Sequence, residues 1–117
     1  WAKEETFLAH PPWVAGMCMV FSSLAFSRVG GFDERYFLYY EDADICARLW
    51  LSGFWVLQRR DVFVFHEGAR QSHRHFRHLY WHAQSAMRFF LSPASWKARR
   101  LVNKKLTIDK KESRGID

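Results

Sequence analysis

The sequence predicts an α/β domain that combines short strands with an acid-led helix and a long amphipathic helix. Three observations support this prediction. Residues 13–21 form the uninterrupted apolar run WVAGMCMVF, which is typical of a buried strand. An aromatic loop then leads into a segment that opens on two adjacent acids, Glu41 and Asp42. Residues 73–91 repeat apolar side chains at intervals of three and four, as in a helix with one buried face.

Glycine and serine residues indicate the boundaries and irregularities of the first predicted elements. Gly16, inside the predicted strand, indicates a bulge or a place where another group approaches the backbone closely. Ser22 and Ser23 are suited to cap a short helix over residues 24–29, which the pair Gly30 and Gly31 would end. The loop that follows is rich in aromatic residues, which we interpret mainly as core packing: Phe32, Tyr36, Phe37, Tyr39 and Tyr40.

The acid-led helix is predicted over residues 41–52 and should stop at Gly53. At about 100° per residue, Asp42 falls within an apolar stripe, whereas Glu41, Asp44 and Arg48 fall on the polar side. A carboxylate that faces a core is costly, but a helix N-terminus favours an anion. We therefore interpret Asp42 as a fixed, ionised carboxylate suited to general-base chemistry. The alternative is a plain helix cap. Asp44 and Arg48 are spaced as an ion pair.

The second half of the chain predicts two more strands and two helices. The strands cover residues 55–58 and 62–65, and His66 ends the second one. The long helix over 73–91 is broken by Pro93, a basic helical piece follows over 94–106, and residues 110–117 should fray. We divide the chain into residues 1–91, which contain the candidate site, and residues 92–117, a basic C-terminal helical extension.

Composition limits the class of protein. With 117 residues and 49% apolar content, the chain amounts to one domain or less. Cys18 and Cys46 both lie in apolar segments, so we expect buried thiols in a reducing compartment. No run is long enough to span a membrane, and the charged start is unlike a signal peptide. Since the chain starts at Trp1 without a methionine, we expect a piece of a longer protein.

The charge is uneven. Residues 59–117 carry 14 basic and 5 acidic side chains, a net charge of +9, within a total of +6. Such a basic half suggests an anionic partner. On the predicted helix 73–91, Arg77, Arg88, Trp81 and Phe89 share a polar face that would suit an anionic membrane surface. A histidine stripe runs along the same face and has no assigned role: His75, His78 and His82.

The order of these features resembles the C-terminal half of a family 2 glycosyltransferase with the GT-A fold, and especially bacterial rhamnosyltransferase-like members that build surface polysaccharides. The resemblance covers residues 13–90 and depends most on the tract GGFDERYFLYYEDADICAR, residues 30–48. It implies an inverting enzyme that moves a sugar from a nucleotide-sugar donor to the hydroxyl of a saccharide or lipid-linked acceptor. In that role Asp42 takes the hydroxyl proton, and Glu41 orients the acceptor or is simply solvated.

The resemblance assigns further positions. Trp13, Gly16 and Met17 match a segment beside the donor sugar and the acceptor, although Gly16 is equally explained as a plain bulge. His66 matches a histidine that helps to hold a divalent metal, Mg²⁺ or Mn²⁺, on the donor diphosphate; the alternative is a hydrogen-bonded structural histidine. The family's nucleotide-binding half, which supplies the other metal ligands, is not in these residues. We therefore expect this chain alone to be inactive.

Two interpretations without catalysis compete with the enzyme. A basic chain with many aromatic rings could bind nucleic acid, but its aromatic residues concentrate in the acidic half, and we expect no nucleic-acid partner. The apolar face of residues 73–91 could instead form a homodimer. For the enzyme, the expected location is the cytoplasm, with peripheral attachment to the inner face of the cell membrane.

Overall fold

The structure is a computed structural model that describes residues 8–66 and 76–112. In these residues a short antiparallel sheet accompanies four helices. Its strands are β1 (Leu8–Ala9) and β2 (Gln58–Arg59), with Leu8 opposite Arg59 and Ala9 opposite Gln58. The helices are α1 (Ser23–Arg28), α2 (Glu41–Leu51), α3 (Phe76–Leu91) and α4 (Pro93–Glu112).

The core is built around α2, which packs against α1, the residues that flank it, Val56, and Val102 of α4. Ile45, Cys46 and Trp50 of α2 are fully buried, and Ala98 and Val102 of α4 pack in the same interior. Burial raises the pKa of the Cys46 thiol above its ordinary value. The segment predicted as a helical extension therefore contributes directly to the core, and it remains helical through Glu112 rather than fraying from residue 110. Residues 113–117 lie outside the described part.

The predicted strands are mostly wrong. Residues 13–21 and 62–65 are irregular, and only Gln58 of the predicted segment 55–58 lies in a strand. Many of their apolar side chains face outward, with Val20 94% exposed, and Cys18 is exposed as well. An apolar strand is stable inside a sheet only when other strands pair with both of its edges. Within the described residues such partners are missing, so these segments stay unpaired.

The short first helix behaves as predicted, within one residue. The Ser22 hydroxyl accepts a hydrogen bond from the Ala25 amide, and the chain reverses after Val29. Arg48 of α2 then holds this turn, because its guanidinium donates to the carbonyl oxygens of Val29 and Gly31 at 2.5 and 2.7 Å. The glycine turn is therefore fixed to the helix that carries Asp42.

Helix α3 packs against the protein with the opposite face from the one predicted to be buried. Its side with the polar residues packs inward: the Ser85 hydroxyl donates to the Leu38 carbonyl at 2.8 Å, and the Trp81 ring lies 4.9 Å from the Phe37 ring. The predicted core side points outward, and its large side chains are exposed: Phe76, Leu79, Tyr80, Met87, Phe90 and Leu91. Periodicity identified the two faces correctly, but the aromatic loop packs against the mixed face. Residues 73–75, including His75, lie outside the described part.

Candidate active site

The candidate site is built at the N-terminus of α2. The first turn contains Glu41, Asp42 and Asp44, and the last contains Arg48. This arrangement of charge suits the helix dipole, whose N-terminal end attracts anions. Gly53 follows the helix with φ +85°, a left-handed conformation that glycine adopts at low cost and that ends the helix as predicted.

Asp42 is held by two backbone amides. Its Oδ2 accepts from the Gly16 amide at 2.8 Å, and its Oδ1 accepts from the Ala43 amide at 2.7 Å. A carboxylate oxygen has a second lone pair, so each oxygen can still accept another hydrogen bond. Both contacts fix the carboxylate without neutralising it.

Gly16 lies against the Asp42 side chain, at a distance that would still allow a small side chain. A Cβ built there would lie 3.4 Å from the Asp42 Cβ and 3.5 Å from its Oδ2. The group that approaches the Gly16 backbone closely is therefore Asp42 itself. The sequence left a bulge or a close approach open at this position; the segment is irregular, and the group next to the Gly16 amide is the Asp42 carboxylate.

Asp42 lines a cavity of about 820 Å³. This volume is in the range of sites for small ligands. The walls come from the segment before residue 14, the aromatic loop, the start of α2, and the facing sides of α3 and α4. The lining residues are Pro12, Trp13, Tyr39, Tyr40, Glu41, Asp42, Ala43, Ala47, His82, Phe89, Phe90, Ser95, Ala98, Arg99, Val102 and Asn103.

Two tyrosines with unusual backbone conformations form one wall. Tyr39 and Tyr40 have φ values of 68° and 66°, in the left-handed region that bulky side chains rarely adopt. The Tyr40 ring centroid lies 5.6 Å from that of Phe89, and both tyrosine rings pack against His82. Such strain costs about 1–3 kcal/mol per residue and persists where surrounding contacts enforce it, often at functional sites.

Glu41 presents a second carboxylate to the cavity. Its Oε2 is buried and has no hydrogen-bond partner among the described residues. A buried acceptor without a donor is costly, so this oxygen is suited to accept a hydrogen bond from a ligand that enters the cavity. The cavity thus offers two carboxylates, aromatic rings and the Arg99 guanidinium, a set that suits a hydroxylated ligand with apolar faces.

The other predicted site residues differ in whether they line the cavity. Trp13 lines the cavity, whereas Met17 and His66 are exposed and are not among the lining residues. In the part of the chain that the structure covers, no three side chains of the types His, Cys, Asp and Glu are grouped to hold a metal ion. These residues therefore do not fit a metal centre by themselves, and Glu67, the neighbour of His66, lies outside the described part.

Asp44 corrects the helical-wheel analysis. The wheel placed it on the polar side, but the structure buries it to 4% exposure. The predicted ion pair with Arg48 is confirmed, with 2.7 Å between Oδ2 and Nε. The pairing explains the burial, because the same guanidinium also bonds two loop carbonyls and covers this side of α2.

Sequence reasoning missed the contribution of α4. Ser95, Arg99 and Asn103 recur every four residues, so they share one face of that helix and line the cavity together. This spacing was available as a signal. The sequence does not say, however, which neighbour that face meets. His82 appeared only as part of a histidine stripe, and its ring contacts with the loop could not be foreseen.

Comparisons with known proteins agree on a class of enzyme. A family model described as "N-terminal domain of galactosyltransferase" matches residues 9–80. Over 62 residues the chain is 40% identical to the N-acetylglucosaminyl-diphospho-decaprenol L-rhamnosyltransferase of two Mycobacterium tuberculosis strains, which covers 53% of this chain and 20% of the relative. Over 78 residues it is 35% identical to rhamnosyltransferase WbbL of Escherichia coli K12, covering 66% of this chain and 30% of that relative.

The chain spans less than a third of the length of these curated relatives. No solved structure matches it significantly. Among the described helices, none is both long and apolar enough to cross a membrane. The family match extends over more than half of the chain and takes in Asp42 and all of α2. This protein therefore belongs to the glycosyltransferase family whose model is described as the N-terminal domain of galactosyltransferase.

Proposed function

We propose that this chain forms the acceptor-side, C-terminal half of an inverting family 2 glycosyltransferase with the GT-A fold, and that Asp42 is its general base. The observation that supports this proposal most is the position of the Asp42 carboxylate. It lies in the wall of a large cavity, and the Gly16 and Ala43 amides hold it with hydrogen bonds. A base held in this way needs no reorganisation when it accepts a proton.

The proposed step is a single displacement. The acceptor hydroxyl oxygen forms a bond to the anomeric carbon of the donor sugar, and the bond from that carbon to the nucleotide diphosphate breaks. The hydroxyl proton moves to an oxygen of Asp42, and the electron pair of the broken bond leaves with the diphosphate. A sugar hydroxyl is a weak nucleophile, so removal of its proton during attack lowers the barrier.

The acceptor would be a saccharide, and the cavity supports this choice. Aromatic rings can pack against the C–H faces of a sugar, and the unpaired Oε2 of Glu41 can accept one of its hydroxyl protons. Two relatives are named for an acceptor linked through diphosphate to decaprenol. By analogy we propose a lipid-linked acceptor in the synthesis of a cell-surface polysaccharide.

The donor site would be completed by a nucleotide-binding half. Exposed apolar side chains support this proposal, because additional strands could pair with the segments that carry them. They are Trp13, Met17 and Val20 in the first segment and residues 62–65 in the second. A divalent cation on the donor would take its main ligands from that half, with His66 as the contribution of this chain. The family description names a galactosyltransferase, whereas the relatives are named rhamnosyltransferases. The donor sugar of this protein therefore has to be identified by experiment.

The test is turnover by the natural polypeptide that contains this chain, with UDP-galactose, dTDP-rhamnose and other nucleotide sugars as donors. With the best donor, we expect Asp42→Asn to lower kcat by about a hundredfold to ten-thousandfold, the usual contribution of a general base. The acceptor KM should change less than kcat, because the amide keeps the shape of the carboxylate and loses only one of its two backbone hydrogen bonds.

The matched control is Asp61→Asn, which removes a carboxylate that pairs with Arg59 on the surface, outside the cavity lining. That variant should retain normal turnover. If Asp42→Asn has the same activity as Asp61→Asn, Asp42 is not the base. If no nucleotide sugar is turned over by the unmodified protein, the proposed function itself is wrong.

A further inference from the structure

The outward face of α3 is an apolar surface without a covering element in the described residues. Phe76, Leu79, Tyr80, Met87 and Leu91 project from it, and Phe76 is 93% exposed. At about 100° per residue they fall within a sector of about 120°, so they form one continuous stripe along the helix. Large exposed apolar patches of this kind commonly mark an interaction site.

Helix α4 places positive charge at the end of this stripe. Trp96, Lys97, Arg100 and Lys104 are exposed and share a sector of about 100° on the outward side of that helix. The Arg100 guanidinium lies 4.4 Å from the Trp96 ring centroid. Only Ser92 separates α3 from α4, so Trp96 and Lys97 lie next to the corner at which the stripe ends, and Arg100 and Lys104 follow one and two turns further along α4.

From the start of α3 to residue 106 of α4, all charged side chains have the same sign. Residues 76–106 contain seven Lys and Arg side chains and no Asp or Glu. A second copy seated on the same face would bring two cationic surfaces together without acids to pair them. An anionic lipid surface instead offers phosphate groups to the cations and acyl chains to the apolar stripe. Exposed aromatic and basic residues together are typical of helices that lie in a membrane interface.

We propose that this α3–α4 face, hereafter the lipid-docking face, binds anionic phospholipid headgroups and inserts its apolar stripe into the membrane interface. It consists of Phe76, Leu79, Tyr80, Met87, Leu91 and Trp96, with Lys97, Arg100 and Lys104. The set differs from the one that the sequence suggested, because Trp81 and Phe89 pack inward against the aromatic loop. The proposal does not depend on the catalytic role of Asp42.

Docking of this face would also determine where the Asp42 cavity lies relative to the membrane. His82, Phe89 and Phe90 of α3, and Arg99 and Asn103 of α4, line the Asp42 cavity. At about 100° per residue, Phe90 falls within the sector of the apolar stripe and Asn103 falls next to Trp96. The lipid-docking face therefore borders the cavity, within about one helix diameter, roughly 10 Å. Docking would hold the cavity close to the membrane surface, where a lipid-linked molecule is available.

The test is flotation of the full chain with vesicles of phosphatidylcholine alone or with added phosphatidylglycerol, at low and high salt. We expect binding only to the anionic vesicles, weakened by salt. Lys97→Gln with Arg100→Gln should lower the affinity about thirtyfold, since each interfacial cation contributes about 1 kcal/mol. Leu79→Asp with Met87→Asp should lower it about a hundredfold, because two apolar side chains no longer insert.

Matched controls use residues away from this face. Arg28→Gln with Arg60→Gln removes the same charge, and Leu24→Asp makes the same kind of change at an exposed leucine of α1. Both controls should bind as the unmodified chain does. Equal losses in test and control variants, equal binding to neutral vesicles, or no vesicle binding would each overturn the proposal. So would a dimer that Leu79→Asp dissociates, or binding to an oligonucleotide in place of vesicles.

Discussion

At the scale of single residues, Arg48 organises more of the molecule than its place in the sequence suggests. It pairs with the buried Asp44 and also bonds the carbonyls of Val29 and Gly31. One side chain therefore neutralises a buried acid and fixes the glycine turn to α2. The spacing of Asp44 and Arg48 predicted their pairing, but a sequence carries no information on the carbonyls that converge on the guanidinium.

Replacement of Arg48 should be costly for this reason. We expect Arg48→Met to lower the free energy of unfolding by about 3 kcal/mol, because Asp44 would be left buried without a partner. The control is Arg59→Met, which breaks the exposed pair with Asp61 and should cost much less, because solvent screens an exposed ion pair. Urea denaturation measures the free energy of unfolding of both variants. Equal decreases would show that the buried Asp44–Arg48 pair contributes no more to stability than the exposed pair.

At the scale of elements, α3 shows how an amphipathic pattern can be interpreted with the wrong face inward. The aromatic loop presents rings and carbonyl groups, and the mixed face of α3 presents Ser85, Arg88 and Trp81 to them. Arg88 bonds the Arg35 carbonyl and also lies over the Tyr36 ring. Hydrogen bonds and ring contacts thus favour a face that hydrophobicity alone would leave in water.

The orientation of α3 can be tested by two opposite substitutions. Ser85 is 5% exposed and Leu79 is 60% exposed. We therefore expect Ser85→Leu to destabilise the protein by about 1–3 kcal/mol through overpacking, whereas Leu79→Ser should change stability by no more than about 0.5 kcal/mol. Thermal and urea unfolding of both variants provide the measurement. The reverse order of effects would mean that the apolar stripe is the buried face.

At the scale of the whole molecule, stability at high pH should depend on Tyr36. Burial, and then the charge of Asp44, raises the pKa of Tyr36 to about 12, from 10.0 for an ordinary tyrosine. The unfolded chain therefore ionises first. The contribution of Tyr36 is fully present below pH 10 and is lost as the pH rises through about 12.

Tyr36→Phe isolates this effect. Its free energy of unfolding, measured by urea denaturation at a series of pH values, should fall less between pH 10 and 12 than that of the unmodified chain. The two curves should run parallel below pH 10, where the phenol is neutral in both states. Parallel curves throughout the alkaline range would contradict the raised pKa.

The sequence by itself determined the local features. Three of them depend on residues a few positions apart or on backbone geometry: the capped turn at Ser22, the helix from Glu41 to a stop at Gly53, and the Asp44–Arg48 pair. Such features are predictable because the interactions that produce them are short in sequence.

The tertiary structure alone decided what these elements meet. The polar side of α3 packs inward, and Arg99 and Asn103 of α4 line the Asp42 cavity. Asp44 is buried. The apolar runs at residues 13–21 and 62–65 have no strand partners among the described residues. The physical reason is that an amphipathic pattern specifies that a face can be buried but not which surface will cover it. That choice depends on the shape and polarity of elements distant in the chain.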